Sequence, residues 1–265
     1  MSIPPIDSWS RLLDGRVAVV TGGADGIGGA ISRLFAEHGA LVEVADINPQ
    51  EADHIQADVT VDDDVTRLAR TVLDRHGRID VLVNNVGDYR PLVRFERSTP
   101  ESWQQMYDVN LRHVFAVTRA FLPTMIEQQR GSIVNVHSVE GMRGYPGDPV
   151  YAAMKAAVAH FTTSLAVNVG RHGIRVNGIG PDLTQTPQVD YLTGYEEHDD
   201  MWEAWAPVGR LGWPEDQARV ALFLASDMSA FVTGHNIPVD GGTKTGGGWF
   251  WSPSARRFTN RPTTL

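Results

Sequence analysis

The chain has 265 residues, of which 42% are hydrophobic and 21% charged; these proportions lie near the globular average, so a full core is available and overall disorder is not expected. Its 32 acidic residues outnumber 23 basic ones, giving a formal charge of −9, which argues against a free-standing nucleic-acid binder and against a polybasic membrane anchor. The absence of cysteine rules out disulfides, thiolate nucleophiles and zinc–thiolate sites, fits a reducing cytoplasmic setting, and no metal site is expected.

Residues 1–16 carry Pro4, Pro5, Asp7 and Asp14 and lack the basic start and apolar run of a secretory signal. No window approaches the length of apolar sequence needed for a spanning helix. Arg16 to Val20 is a short β-branched run ending in glycines, and it reads as a buried parallel strand. Ile27, Ile31, Leu34 and Phe35 then recur at helical spacing before Gly39. Residues 41–45 form a second strand, 65–76 a helix stopped by Gly77, and 79–83 a third strand. A long helical pattern runs from Trp103 to Glu127 with Pro123 near its end, followed by a fourth strand over 132–136. Another long helix spans 151–172, then come a fifth strand over 174–179, a helix over 214–225 and a last strand over 236–239. Strands alternating with helices predict right-handed βαβ units and a doubly wound, mostly parallel sheet with helices on both faces, an α/β fold. No linker divides residues 1–243. The segment 244–265, with its Gly246–Gly248 run, Trp249–Phe250–Trp251 and Arg256, Arg257 and Arg261, has no periodicity and reads as an extension.

The loop Thr21-Gly-Gly-Ala-Asp-Gly-Ile-Gly28 joins the first strand to the first helix. A strand end and a helix N-terminus together aim unpaired N–H groups and a positive dipole end at one point, which suits a pyrophosphate. Gly22 and Gly26 permit the tight turn, and Gly28 lets the helix pack closely. An ordinary glycine-rich βα loop carries the same letters. Asp46 ends the second strand 18 residues after Gly28, where a carboxylate can accept from the adenosine ribose hydroxyls and would repel a 2′-phosphate. With no lysine or arginine between Gly39 and Asp58, NAD is expected over NADP; a solvated strand-end aspartate is the plainer alternative. Asp58 and Val59 follow as softer candidates for the adenine.

Tyr151 and Lys155 stand four apart in a helical pattern and share one face. An ammonium beside a phenol, whose ordinary pKa is near 10, is expected to lower it toward the range useful for acid/base work. Ser138 lies just past the fourth strand, within reach of a substrate oxygen. Taken alone the Tyr–Lys pair is a weak signal.

With Thr21-Gly-x-x-x-Gly-Ile-Gly28, Asn84-Asn85-Val86-Gly87, Asn110, Ser138 and Tyr151-x-x-x-Lys155 in this order, and 13 residues from Ser138 to Tyr151, the chain resembles the short-chain dehydrogenase/reductase family over about residues 12–243. The resemblance implies a single-domain Rossmann fold and a nicotinamide cofactor. It implies Tyr151 as proton donor or base, Lys155 on the nicotinamide ribose, Ser138 orienting the carbonyl, and Asn110 anchoring a water that links Lys155 to solvent. Asn84, Val86 and Gly87 would line the cofactor groove, with Asn84 also supporting the sheet. Asp25, Ile27 and Ile47 would join the glycines and Asp46 around the adenosine and pyrophosphate, and Pro181, Leu183 and Thr186 would hold the carboxamide and phosphates.

Three residues depart from the family pattern. Val86 stands where alanine is usual. His137 replaces a second serine, and is read as a wall or packing residue. Asp182 stands where glycine usually permits positive φ beside the nicotinamide; it either points into the site and helps select substrate or caps the following turn, and the cap is preferred.

Residues 187–210 read as a substrate lid, with Tyr191, Tyr195, Trp202 and Trp205 beside Glu196, Glu197, Asp199 and Asp200. Aromatics beside a cleft point to a hydrophobic substrate; a lid packing its own aromatics reads the same way. The acidic run disfavours highly anionic ligands, while Arg90, Arg94 and Arg97 argue the other way. The tail aromatics are expected to dock on their own or a neighbouring subunit; they either cover an active-site mouth or pack there with no catalytic effect, and the second is preferred. A homotetramer pairing the two long helices is what the resemblance implies. The expected activity is hydride transfer between NAD(H) and an alcohol or ketone carbon of a hydrophobic small molecule. The alternatives are an NADPH-dependent reductase of 3-oxoacyl thioesters on acyl carrier protein and, from another class, a catalytically idle nucleotide sensor or scaffold.

Overall fold

The computed structural model of the chain describes residues 11–189, 204–248 and 250–259. Seven parallel strands form one sheet: β1 (Val17–Thr21), β2 (Leu41–Asp46), β3 (Ile55–Gln56), β4 (Val81–Asn84), β5 (Gly131–Val136), β6 (Ile174–Pro181) and β7 (Asn236–Val239), in the spatial order β3-β2-β1-β4-β5-β6-β7. β1 and β4 hydrogen-bond side by side, Ala18 opposite Val81 and Val20 opposite Val83. The connections run outward on either side of this pair, so their carboxyl ends open the crevice in which doubly wound sheets bind ligands.

Each helix start and stop follows from its end residues. α1 (Gly26–Glu37) is capped by the Asp25 carboxylate, which accepts from Gly26 N. α2 (Asp62–His76) carries three aspartates in its first turn and ends at Gly77 in the left-handed region, the expected stop. α3 (Pro100–Tyr107) starts at a Thr99–Ser102 capping box. It is followed by a π-helical turn over Asp108–Arg112 and then α4 (His113–Gln128). The single helix predicted over 103–127 is therefore two helices and a π turn. A 3.6-residue pattern has no term for the extra residue of a wide turn. α5 (Pro149–Val169) begins with Asp148 accepting from Val150 N and Tyr151 N and with proline in the first turn, where its missing N–H costs nothing. α6 (Pro214–Ala225) completes the layers.

The central strands are buried on both faces. Val17, Val19, Leu82, Ile133 and Val176 face α2, α4 and α5, packing against Leu68, Phe121 and Leu165. Val20, Val83, Val134 and Ile179 face α1 and α6, against Ile31, Phe35 and Leu222. At about 25 cal/mol per Å², such two-sided burial is the main stabilising term of the fold.

Two features escape the sequence pattern. β3 has two residues, too few to show alternation. Past Gly242, where no element was predicted, lie α7 (Thr243–Gly246) and a hairpin of β8 (Phe250–Ser252) and β9 (Arg257–Thr259), whose Trp251 and Phe258 rings meet edge to face at 5.3 Å. No helix among the described residues is long and apolar enough to cross a membrane.

Candidate active site

A cleft of about 1350 Å³ opens at the carboxyl edge of the sheet. That exceeds the usual range of roughly 300–1,000 Å³ for one drug-sized ligand, and leaves room for a dinucleotide with a second molecule beside it.

One end is the βα loop. Gly22 and Gly26 both take positive φ, 60° and 54°, a backbone turn that an L side chain rarely adopts. Gly28 lies behind the cleft wall: a Cβ there would come within 2.0 Å of the Gly22 carbonyl oxygen, so its hydrogen lets helix and loop meet. Asp25 caps α1 and lines the cleft with Ile27. The Asp46 carboxylate is fixed by two backbone amides, Ala24 N at 3.2 Å and Asn48 N at 2.9 Å. Ile47, Asp58 and Val59 line the same end. The Asp58 side chain holds its own turn, accepting from Thr60 N and Thr60 Oγ1. Asp25, Asp46 and Asp58 are the charged groups lining this end, and no lysine or arginine lines it among the described residues.

The other end holds the Tyr–Lys pair. Tyr151, Lys155 and Ser138 all line the cleft. Ser138 Oγ accepts from Glu140 N at 3.1 Å and donates to the Pro181 carbonyl at 3.4 Å. Lys155 Nζ stands 5.7 Å from the centroid of the Tyr151 ring, within the limit of a cation–π contact. Gly87 leaves room for it, because a Cβ there would lie 2.5 Å from Nζ and 3.1 Å from Asn110 Oδ1. Asn110 sits in the π turn, away from the lining. Its Oδ1 accepts from Asp88 N and its Nδ2 donates to Asp88 O, clamping the loop that leaves Gly87.

The electrostatics correct one expectation. Burial pushes the Tyr151 phenol above its ordinary value; a hydrogen bond with Ser138 opposes this, while Glu140, Tyr145 and Asp88 reinforce it. Burial also lowers Lys155 to about 8, against the attraction of Asp88. Lys155 was expected to lower the tyrosine, but desolvation sets the direction of its shift, upward.

Asn84 requires another correction. Its side chain is fully buried, donating to Thr118 Oγ1 and Asn135 Oδ1 under the sheet, and it does not line the groove. The neighbouring Asn85 lines it together with Val86 and Gly87, its Nδ2 bracing the carbonyls of Thr21 and Gly22. The alternation of β4 carries the signal: residue 84 points into the helix layer, so the next residue, past the strand end, reaches the cleft.

Pro181, Leu183 and Thr186 line the cleft. Thr186 carbons would lie 3.5 Å from a Cβ on Gly26, linking the two ends. Asp182 does not cap the following turn with its side chain. Its backbone carbonyl accepts from Thr184 Oγ1, while the carboxylate pairs with Arg143 and accepts from Thr243 Oγ1. Its φ is not positive. His137 is buried, lines the cleft and packs along Gly178 and Gly180. Its Nδ1 meets the Ser138 carbonyl, and burial lowers its pKa to about 4, so it is a neutral wall.

Glu140 and Tyr145 also line this end, and the sequence reading missed them; Gln188, at the start of the predicted lid, lines it too. Gln188 Nε2 donates to Gly87 O and Tyr89 Oη donates to Gln188 O, tying the loop after β4 to the segment after β6. Of the predicted lid, Trp205 lines the cleft; Tyr191, Tyr195, Trp202, Glu196, Glu197, Asp199 and Asp200 lie outside the described residues. None of the described residues from 243 onward lines the cleft of its own chain; Trp249 and Arg261 lie outside the described residues.

The residues present fit a nicotinamide dinucleotide: a glycine cradle that a Cβ would fill, a backbone-fixed carboxylate at the ribose position, and a phenol and ammonium at the far end. The arrangement supports proton transfer to or from an oxygen placed between Tyr151 and Ser138.

A family model described as Enoyl-(Acyl carrier protein) reductase matches residues 22–244. The chain is 41% identical over 244 residues to the 3-oxoacyl-[acyl-carrier-protein] reductase FabG of Thermotoga maritima, covering 87% of this chain and 98% of that protein. It is 38% identical over 248 residues to the enzyme of the same name from Chlamydia muridarum, covering 88% and 99%. Among solved structures it resembles the ligand-free aldohexose dehydrogenase of Thermoplasma acidophilum, with a TM-score of 0.82, 33% identity and coverage of 88% and 95%. Levodione reductase gives a TM-score of 0.80 at 30% identity, covering 88% and 99%.

Proposed function

The chain belongs to the short-chain dehydrogenase/reductase family of nicotinamide-dependent oxidoreductases, and from that premise we propose that it interconverts an alcohol and a ketone with NAD(H), Tyr151 acting as the acid/base. The observation that carries the proposal is the joint lining of one cleft by Tyr151, Ser138 and Lys155 at one end and by the amide-held Asp46 at the other.

A bound nicotinamide supplies or accepts the hydride. Tyr151 Oη gives its proton to the carbonyl oxygen in reduction and takes it from the hydroxyl in oxidation. Burial keeps the phenol protonated, and its proton leaves more readily as the Lys155 ammonium stabilises the phenolate that forms. Ser138 Oγ gives up its long bond to Pro181 O and steadies the substrate oxygen. Lys155 holds the cofactor ribose and draws the phenolate toward stability as it forms. Asn110 fixes the Asp88 backbone beside Lys155 and anchors the water through which a proton leaves.

Asp46 favours NAD, because a 2′-phosphate would meet three carboxylates and no cation at that end. A second reading is a 3-oxoacyl-thioester reductase, the alternative of the sequence analysis. The names of the relatives favour it over the hydrophobic-substrate reading, although the names of the solved structures extend to a sugar dehydrogenase and a levodione reductase. The quaternary form we propose is a homotetramer, and the fold unit is residues 1–243 with a C-terminal extension.

Rates for secondary alcohols, sugars and a 3-oxoacyl thioester, each with both NAD(H) and NADP(H), test this. We expect NAD(H) to be preferred. A preference for NADPH with the thioester moves the assignment to the second reading. Tyr151→Phe is expected to lower kcat by at least about 100-fold while NADH binding, followed by fluorescence, stays within about twofold. A variant that keeps its rate removes Tyr151 from the mechanism.

A further inference from the structure

Beside the Ser138–Tyr151 pair, the cleft wall carries a carboxylate that the proton chemistry does not use. Asp182 immediately follows β6 and lines the cleft with its side chain 7% exposed. Ser138 Oγ reaches the carbonyl of Pro181, the residue before it. One oxygen, Oδ2, is committed: Arg143 Nη2 donates to it at 3.2 Å, and the Thr243 hydroxyl donates to it as well. The other, Oδ1, takes no hydrogen bond from a described residue. Arg143 is itself engaged by both Glu140 oxygens, at 2.8 and 3.3 Å, and Glu140 lines the cleft too. Burial works against this guanidinium, yet the two carboxylates hold its pKa above the ordinary value. Two carboxylates share one cation, so this wall keeps a net negative charge.

A carboxylate is an acceptor only, and a ligand that covers one of its oxygens without donating to it costs free energy. Clamping Oδ2 holds Oδ1 ready for a ligand donor without reorganisation. We propose that Asp182 determines specificity by accepting a hydrogen bond from a hydroxyl on the carbon next to the reacting one. The substrate class is then a neutral vicinal diol, hydroxyketone or sugar. A simple aliphatic alcohol leaves Oδ1 unpaired, and a 2-hydroxy acid is repelled by the wall. This rests on the alcohol/ketone reading above and narrows it.

The test is oxidation with NAD by the full-length enzyme of 2,3-butanediol, 2-butanol and lactate. We expect kcat/KM for the diol to exceed that for 2-butanol by about tenfold or more, the yield of one hydrogen bond to a charged group, and lactate to be the poorest of the three. Asp182→Gly is expected to bring the diol/mono-ol ratio to near one. Thr243→Val, which keeps the carboxylate but removes one clamp, is expected to lower the ratio partway by raising the diol KM. Equal kcat/KM for the matched pair in the wild type overturns the proposal whether or not the variants fold, and so does an unchanged ratio in Asp182→Gly. Turnover of both alcohols without preference leaves the alcohol/ketone reading intact. No turnover of any alcohol or ketone in the wider panel brings down that reading and this one together.

Discussion

Lys155 lines the cleft beside Gly87 but is almost wholly buried, and its burial works against its charge. Its pKa in the folded chain, about 8, lies below the ordinary 10.5, so the unfolded chain binds more protons between those values and stability rises with pH there. Below about pH 8 the desolvation cost is present in full; it fades as pH climbs from 8 toward 10.5. Lys155→Met should therefore raise the stability of the cofactor-free protein at pH 7 by up to about 3 kcal/mol, with the gain shrinking by pH 9.5 and activity lost throughout. Thermal melts at the two pH values check it, and a gain independent of pH would mean that charge burial is not the cause. Asp46 was legible as a candidate from its place at the end of the second strand, and Ser138, Tyr151 and Lys155 from the family resemblance, the Tyr–Lys spacing alone being a weak signal. The direction of the tyrosine shift was not, since it depends on how much water the folded cleft excludes.

The helix and strand elements bring these side chains together through a buried polar chain. Asn84 on β4 donates to Thr118 on α4 and to Asn135 on β5, and Asn135 donates to Thr162 on α5 at 2.8 Å. All four are buried. The chain ties the sheet to the two helices flanking the site, one of which carries Tyr151. Asn135→Ala would take one partner from the Asn84 amide, which keeps Thr118, and one from the Thr162 hydroxyl, which keeps the Val158 carbonyl, and a loss of roughly 1–3 kcal/mol is expected for a weakened network in a dry interior. Urea unfolding measures it, and a loss below 1 kcal/mol would show the network to be slack. Asn84 read as a groove residue from its motif alone. Its true place depends on which face of β4 meets α4, and that is decided by packing. The π turn holding Asn110 was hidden for a similar reason: its residues suit a helix, and the contacts of Asn110 with the Asp88 backbone lie far off in the chain.

At the scale of the whole molecule, the outer surface keeps apolar side chains that a lone subunit leaves in water. Phe115 on α4 meets Phe161 on α5 edge to face at 4.7 Å. Val167 on α5 and Phe231 are among the most exposed large hydrophobic residues. A closed homo-oligomer would cover such faces, and light scattering is expected to give the mass of four copies. The extension is anchored at its root, where Thr243 bonds Asp182 and both Thr243 and Lys244 N reach the Asp240 carboxylate. Truncation after Gly242 should raise KM for substrate several-fold by freeing Asp182, with NADH affinity nearly unchanged. Identical kinetics and assembly in the truncated chain would leave the extension without a role in the site.

The sequence by itself determined the α/β class, the order of the long elements, the glycine-rich loop and the aspartate that ends β2, because each is written in local periodicity or element order; the Ser138, Tyr151 and Lys155 candidates rested on the family resemblance. Tertiary structure decided the rest: which face of β4 meets α4, that burial raises the Tyr151 phenol, that Asp182 pairs with Arg143 and Thr243, and that the chain past Gly242 carries a short helix and a hairpin. Those outcomes depend on burial and on partners distant in the chain, such as Thr243 for Asp182. Neither is encoded in the residues beside them.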